Sequence, residues 1–214
     1  LNNGITHRFI TRRGSKVWIA QISEVIKGLS HGEIERYHAG HSLERTHQLA
    51  CADALASAML GHDTHIYRDE AGAPHLPEVL ERVSISHTGD YMAMLISPSR
   101  LLALDIELLD RNIERIVPRY TNDAEVDLYD RIPKQNPALY VWGIKECLFK
   151  ALPVKSIVFR EHLKIKKVEL KDDLHSDCEI EHPDLRAQLS VVSCIFGPLI
   201  VSYIDQPLYG YEEI

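Results

Sequence analysis

Asp105 and Glu107 stand two positions apart in LLALDIELLD (residues 101–110), a spacing that could do chemistry. The run is apolar and strand-like. On a strand, residues i and i+2 share a face while the residue between them packs on the other. Two carboxylates held that close repel, and a hard cation such as Mg²⁺ removes the repulsion because carboxylate oxygens are its preferred protein ligands. The plain alternative is an acidic pair on a solvent-facing strand. A second group lies in WGIKECLFK (142–150). On a helix Glu146 and Lys150 are i,i+4 neighbours. Trp142 lies one turn before Glu146 on the same face, and Lys145 is turned away by about 100°. A glutamate able to complete a metal site, with a lysine one turn on, suits phosphate chemistry: the cation holds a pyrophosphate and the lysine offsets charge on the reacting group. The plain alternative here is a surface ion pair. Ser86 and His87, in SISHTG (84–89), close a strand at a glycine turn, where ligand-binding groups concentrate.

Other chemistry-bearing residue types point to less. HAGH (38–41) and HDTH (62–65) space histidines three apart, but no HExxH or CxxC accompanies them, and they read as solvated side chains. Cys51, Cys147, Cys178 and Cys194 form no CxxC pair and read as reduced, mostly buried thiols, which implies a cytoplasmic protein. A net charge of −7 argues against broad binding to a nucleic-acid backbone. No apolar run approaches the length of a membrane span, and no charged start leads into an apolar stretch as in a secretory leader. With 214 residues, 45% of them apolar and 26% charged, the chain can build one sizeable core or two small ones.

The elements that must position these groups follow from periodicity. KVWIAQIS (16–23) alternates and is β-branched, so it reads as a strand. SLERTHQLACADALASAML (42–60) reads as a helix with Leu49, Ala52, Leu55, Ala56 and Met59 on one stripe and Gly61 ending it. HIYRDEAGAP (65–74) reads as a short strand and a turn, RVSISH (82–87) as a strand, and YMAMLIS and RLLALDIEL as two strands of a hairpin joined by SPSR with Pro98 in the turn. NIERIVPRY (112–120) reads as a helical segment broken near Pro118. PALYVWGIKECLFKAL (137–152) is a helix with Pro137 near its start. SIVFREHLKIKKVEL, AQLSVVSCIF and LIVSYI read as strands of a second sheet. Each half of the chain thus offers one long helix and several strands, two α+β layers meeting near residue 100.

In this order, GAP (72–74), SISH (84–87), DIE (105–107) and WGIKECLFK (142–150) resemble the 4'-phosphopantetheinyl transferase superfamily, and most of all its two-domain, surfactin-synthetase-activating type. That family shows a G-K-P turn, an S-x-S-H strand, a G-[IV]-D-x-E strand and a W-x-x-K-E-x-x-x-K helix; the likeness covers residues 66–152. The resemblance implies an α+β fold of two similar halves arranged as a pseudo-dimer, here 1–100 and 101–214, with the site in the cleft between them. It implies that Asp105, Glu107 and Glu146 bind Mg²⁺ and that Lys150 contacts the phosphates of coenzyme A. His87, with Ser86, would hold the 3'-phosphate, and Arg45, Gly72, Pro74 and Lys145 would complete the coenzyme A site. Glu125 falls where the family has an acid after an aromatic-led helix. The activity implied is that of a holo-[acyl-carrier-protein] synthase. It moves phosphopantetheine from coenzyme A to a serine of an acyl or peptidyl carrier protein and releases adenosine 3',5'-bisphosphate. Glu146 and a metal-bound water are both candidates for the base. Coenzyme A and the carrier are the expected partners, with no nucleic acid, no membrane and a monomeric chain.

Three departures from the family pattern stand out. Ala73 occupies the position of a lysine that contacts coenzyme A, Ala103 replaces a glycine, and Arg45 is the best match to a basic residue on the N-terminal helix. The loss at position 73 motivates an alternative, the same fold acting as a binding or regulatory protein without the reaction. A third reading, a metal nuclease suggested by Glu169 and Lys171, is opposed by the acidic charge and the lack of a basic stripe. Arg111, Arg115 and Arg119, spaced by four, would line one helix face as a dock for an acidic carrier if Pro118 does not break it; the alternative is a solvated basic face.

Overall fold

The computed structural model describes residues 4–77, 80–98, 101–133, 135–151 and 156–207, and the backbone of 211–213. The chain divides into two compact units, Leu1–Pro98 and Ser99–Ile214.

In the first unit, β1 (Ile5–Ile10) and β2 (Lys16–Gln21) precede three helices, α1 (Ile22–Lys27), α2 (His31–Glu35) and α3 (Leu43–Leu60). A two-stranded ribbon follows, β3 (Tyr67–Arg68) and β4 (Pro74–His75), and then β5 (Arg82–Thr88) and β6 (Tyr91–Ser97). The main sheet is antiparallel in the order β1-β2-β6-β5. The long helix forms where its stripe and caps require it. Ser42 accepts the Arg45 N–H at the start, Gly61 takes the left-handed conformation at φ 82° at the end, and Cys51, Leu55, Ala56 and Met59 bury against Met92, Met94 and Ile96. The strand expected over residues 16–23 stops at Gln21. Asp90 takes the Ser23 N–H at 2.9 Å and the Ser23 hydroxyl at 2.5 Å, and so starts α1 two residues early.

The second unit opens with β7 (Leu101–Leu108), then α4 (Val117–Tyr120), α5 (Asp123–Val126), α6 (Pro137–Ala151) and α7 (Phe159–His162). It closes with β8 (Leu163–Leu170), β9 (Leu174–His182), β10 (Leu185–Phe196), β11 (Leu199–Gln206) and β12 (Tyr211–Glu213). Its sheet runs β7-β11-β10-β9-β8, with β12 also paired to β10. The helix α6 lies across the sheet and buries Leu139, Ile144, Cys147 and Leu148 against Ala103, Ile165, Ile200 and Ile204. Four expectations need correcting. β6 and β7 are not the two strands of one hairpin: β6 pairs with β2 and β5, and β7 pairs with β11 in the other sheet. FREH is a helical turn, not strand, closed where His162 Nδ1 accepts the Val158 N–H at 3.0 Å. The strand β9 was not expected, because two thirds of LHSDCEIEH is polar; in the structure it buries alternate positions. NIERIVPRY is a 3₁₀ turn (Glu114–Ile116) followed by α4, with Pro118 in the first turn of the latter, so Arg111, Arg115 and Arg119 do not share one helix face. No helix of the described residues is long and apolar enough to cross a membrane.

Candidate active site

The acids of β7 lie under α6. Asp105 and Glu107 are 4% and 5% exposed. On the same face, Asp105 pairs in register with Ser202 of β11. Gly143 is what lets the helix come this close: a Cβ there would stand 2.9 Å from Ser202 Oγ and 3.5 Å from Asp105 Oδ2. One flank of α6 then meets both carboxylates. Trp142 Nε1–H donates to Glu107 Oε1 at 2.8 Å, and Lys150 Nζ donates to Asp105 Oδ1 at 2.7 Å and to the Leu104 carbonyl at 3.1 Å. Glu146 lies one turn from each of these, on the same flank. Burial, then the charges of Asp105 and Glu107, push its carboxyl up to about 7. Burial also raises Glu107, with Arg111 and Trp142 opposing. Burial works against the charge on Lys150, yet Asp105 beside it more than offsets this and the ammonium ends above the ordinary lysine value.

The structure therefore brings Asp105, Glu107, Glu146 and Lys150 together. It does not present the acids as a finished cage: among the described residues no three His, Cys, Asp or Glu side chains are already placed to hold a metal ion. The chain's own cations stand against them instead, Lys150 on Asp105 and Arg111 on Glu107. The donor set nonetheless suits a hard cation. It is all carboxylate oxygen, it is mostly buried, and the charge of Asp105 raises the proton affinity of Glu107 and Glu146.

Lys145 corrects an expectation. Its side chain is 0% exposed and its Nζ is committed inward, to Glu125 Oε2 at 2.7 Å, to the Phe159 carbonyl at 3.2 Å and to the Tyr120 carbonyl. Glu125 in turn accepts the N–H groups of Asn122 at 2.9 Å and Ile165 at 3.0 Å. Burial lowers the Lys145 pKa and Glu125 resists. The helical offset already turned Lys145 away from Glu146; what the sequence could not show was that a buried acid waits on that side. The pair anchors α6 from within the core.

In the first unit the GAP turn is shaped by Asp69, whose Oδ1 accepts the N–H groups of Ala71 and Ala73, both at 2.9 Å, while Gly72 sits at φ +85°. Pro74 begins β4, and Tyr67 stacks on His75 across the ribbon at 5.2 Å. Gly72 and Pro74 thus set the turn's shape. A cation also stands on the turn at a residue not picked out in the sequence: Arg68 Nη1 donates to the Gly72 carbonyl at 2.7 Å. Burial and the neighbouring charge of Arg45 lower the Arg68 pKa. Arg45 reaches Gln48 Oε1 at 3.2 Å, and among the described residues neither arginine has an acidic partner. The ribbon is held to α3 by Asp53, which accepts the Ile66 N–H at 2.9 Å, meets His65 Nδ1 at 2.8 Å and takes the Tyr37 hydroxyl. Ser86 and His87, expected to act together, point to opposite faces of β5, as adjacent strand residues must: Ser86 is buried and His87 exposed. Beside these groups Leu43, Glu44, His47 and Gln48 of α3, with Ile22, Ser23, Gly89 and Asp90, line a cavity of 310 Å³. Glu169 and Lys171, the basis of the nuclease reading, form an exposed ion pair at 3.2 Å.

Residues 102–197, a little under half of the chain, match the family model of the 4'-phosphopantetheinyl transferase superfamily. The match contains Asp105, Glu107, Gly143, Glu146 and Lys150. No curated protein matches the chain.

Proposed function

We propose that the chain is a Mg²⁺-dependent 4'-phosphopantetheinyl transferase of the two-domain, pseudo-dimeric type. It would act as a monomer in the cytoplasm and transfer phosphopantetheine from coenzyme A to a serine of an acyl or peptidyl carrier protein. The observation that carries this reading is the convergence of two buried acids of β7 with Glu146 and Lys150 of α6, inside the stretch that matches the superfamily.

In the reaction the carrier serine Oγ bonds to the β-phosphorus, the bond from that phosphorus to the bridging oxygen breaks, and adenosine 3',5'-bisphosphate leaves with the electron pair. Bound Mg²⁺, held by Asp105, Glu107 and Glu146, would neutralise charge on the diphosphate. Lys150 stays an ammonium at this site because the carboxylate of Asp105 beside it favours the charged form, and in this reading it would donate to a phosphate oxygen. Among this chain's own groups Glu146, one turn from Lys150 on the same flank of α6, would accept the serine proton. Arg45 and Arg68 supply cationic charge for the phosphates of coenzyme A, and Arg68 compensates for Ala73 from the same turn. His87, the exposed member of its pair, adds to that contact. Lys145 has no part in it.

The test is mass spectrometry of several apo carrier proteins incubated with the protein, coenzyme A and Mg²⁺. One carrier should gain the mass of a phosphopantetheine group on a serine. Tight binding of coenzyme A with no transfer to any carrier would favour the binding-protein alternative.

A further inference from the structure

Glu107 carries two donors on one oxygen. Oε1 accepts the Trp142 indole N–H at 2.8 Å and a guanidinium N–H of Arg111. The two donors differ in what a cation would do to them. An indole N–H is neutral and can stay on a carboxylate that has taken up a metal ion, whereas a guanidinium brings a second positive charge to the same oxygen and is repelled. Arg111 is also built to leave. Its backbone is pinned: its N–H reaches the Leu108 carbonyl at 2.9 Å, and its carbonyl accepts from Asn136 Nδ2 at 3.0 Å. Asn136 is held at φ 60°, in the residue before α6 begins. The guanidinium, by contrast, is 43% exposed and makes no other hydrogen bond or ion pair among the described residues, though its charge also reaches Glu146. A fixed base with a half-solvated head can exchange Glu107 for water without disturbing β7 or α6.

We propose that Arg111 is the resident counter-ion of the acidic site. It holds Glu107 in place while no divalent cation is present and yields the carboxylate when one binds, with Trp142 staying on Glu107 as the witness of the exchange. This rests on the reading of Asp105, Glu107 and Glu146 as cation ligands. It reassigns Arg111 from a carrier dock to a positioning residue that acts through Glu107.

The experiment titrates Mg²⁺ alone, without coenzyme A, into the full chain and into Arg111→Gln and Arg111→Lys, all in a Trp18→Phe background so that Trp142 is the only tryptophan. Calorimetry should show Mg²⁺ binding about tenfold tighter in Arg111→Gln, because a charge-assisted competitor is gone. Arg111→Lys, which keeps the charge and secures the fold, should fall between. Trp142 emission should shift on Mg²⁺ addition in the Arg111 protein and start nearer its metal-bound value in Arg111→Gln. Without metal Arg111→Gln should melt earlier than its parent, and saturating Mg²⁺ should close that gap. Mg²⁺ binding in the parent that Arg111→Gln leaves equal or weaker would overturn the assignment of Arg111 and leave the transferase reading standing. No Mg²⁺ binding in the parent would overturn both.

Discussion

The two units each lay one long helix on an antiparallel sheet, α3 of 18 residues and α6 of 15, yet they gather opposite charges. In the first unit the charge of Arg45 acts on Arg68, and among the described residues neither forms an ion pair with an acid. The second buries Asp105 and Glu107 beside Glu146 and sets its own cations on them. Arginines can meet a phosphate directly, with a rigid fork of donors. Carboxylates can meet it only through a cation, so in its absence the chain must lend Lys150 and Arg111. The difference lies in what each helix packs beside it: a polar clasp on Asp53 that aims a ribbon, against a glycine contact that presses acids under a helix.

The sharpest way to break the comparison is to remove an acid from the second unit. Asp105→Ala should cut phosphopantetheine transfer by about a thousandfold, on the scale of losing a key electrostatic contact, while circular dichroism shows the fold intact. A protein that still transfers would move the chemistry away from these acids. Lys145→Met separates fold from site within the same helix. It leaves Glu125 charged and buried, which should cost about 3–5 kcal/mol in urea unfolding, with coenzyme A affinity of the folded protein unchanged. Arg68→Gln probes the first unit: coenzyme A affinity should drop about tenfold by calorimetry with Mg²⁺ affinity unaltered, and Ala73→Lys in the same background should recover it. The smallest effect is a pH trend. Glu146 in the folded chain sits at about 7, above its ordinary value, so between those two values the folded state holds more protons than the unfolded one. Stability measured in EDTA should therefore fall as pH rises from about 5 to 8, and less steeply in Glu146→Gln. Mg²⁺, which needs the carboxylate, should remove the fall.

Much of the scaffold was legible because its signals are local. Ser42 and Gly61 bracket α3, Pro137 starts α6, and the two-residue spacing of Asp105 and Glu107 put both on one strand face. Residues whose roles depend on distant partners were not. Lys145 looked like a ligand contact until Glu125, twenty positions away, met it in the core. Arg68 gained meaning only when the turn folded Gly72 back onto it, and Arg111 only when β7 ended and brought it over Glu107. The separation of Ser86 from His87 follows from strand alternation, a rule available from the sequence but set aside there in favour of their adjacency.

The most direct measurement is an anomalous-scattering map from crystals grown with coenzyme A and Mn²⁺ standing in for Mg²⁺. The account predicts one strong peak at ligand distance from carboxylate oxygens of Asp105, Glu107 and Glu146, touching the coenzyme A diphosphate, with the Arg111 guanidinium swung off Glu107. A fully bound coenzyme A with no peak among these three acids would contradict it.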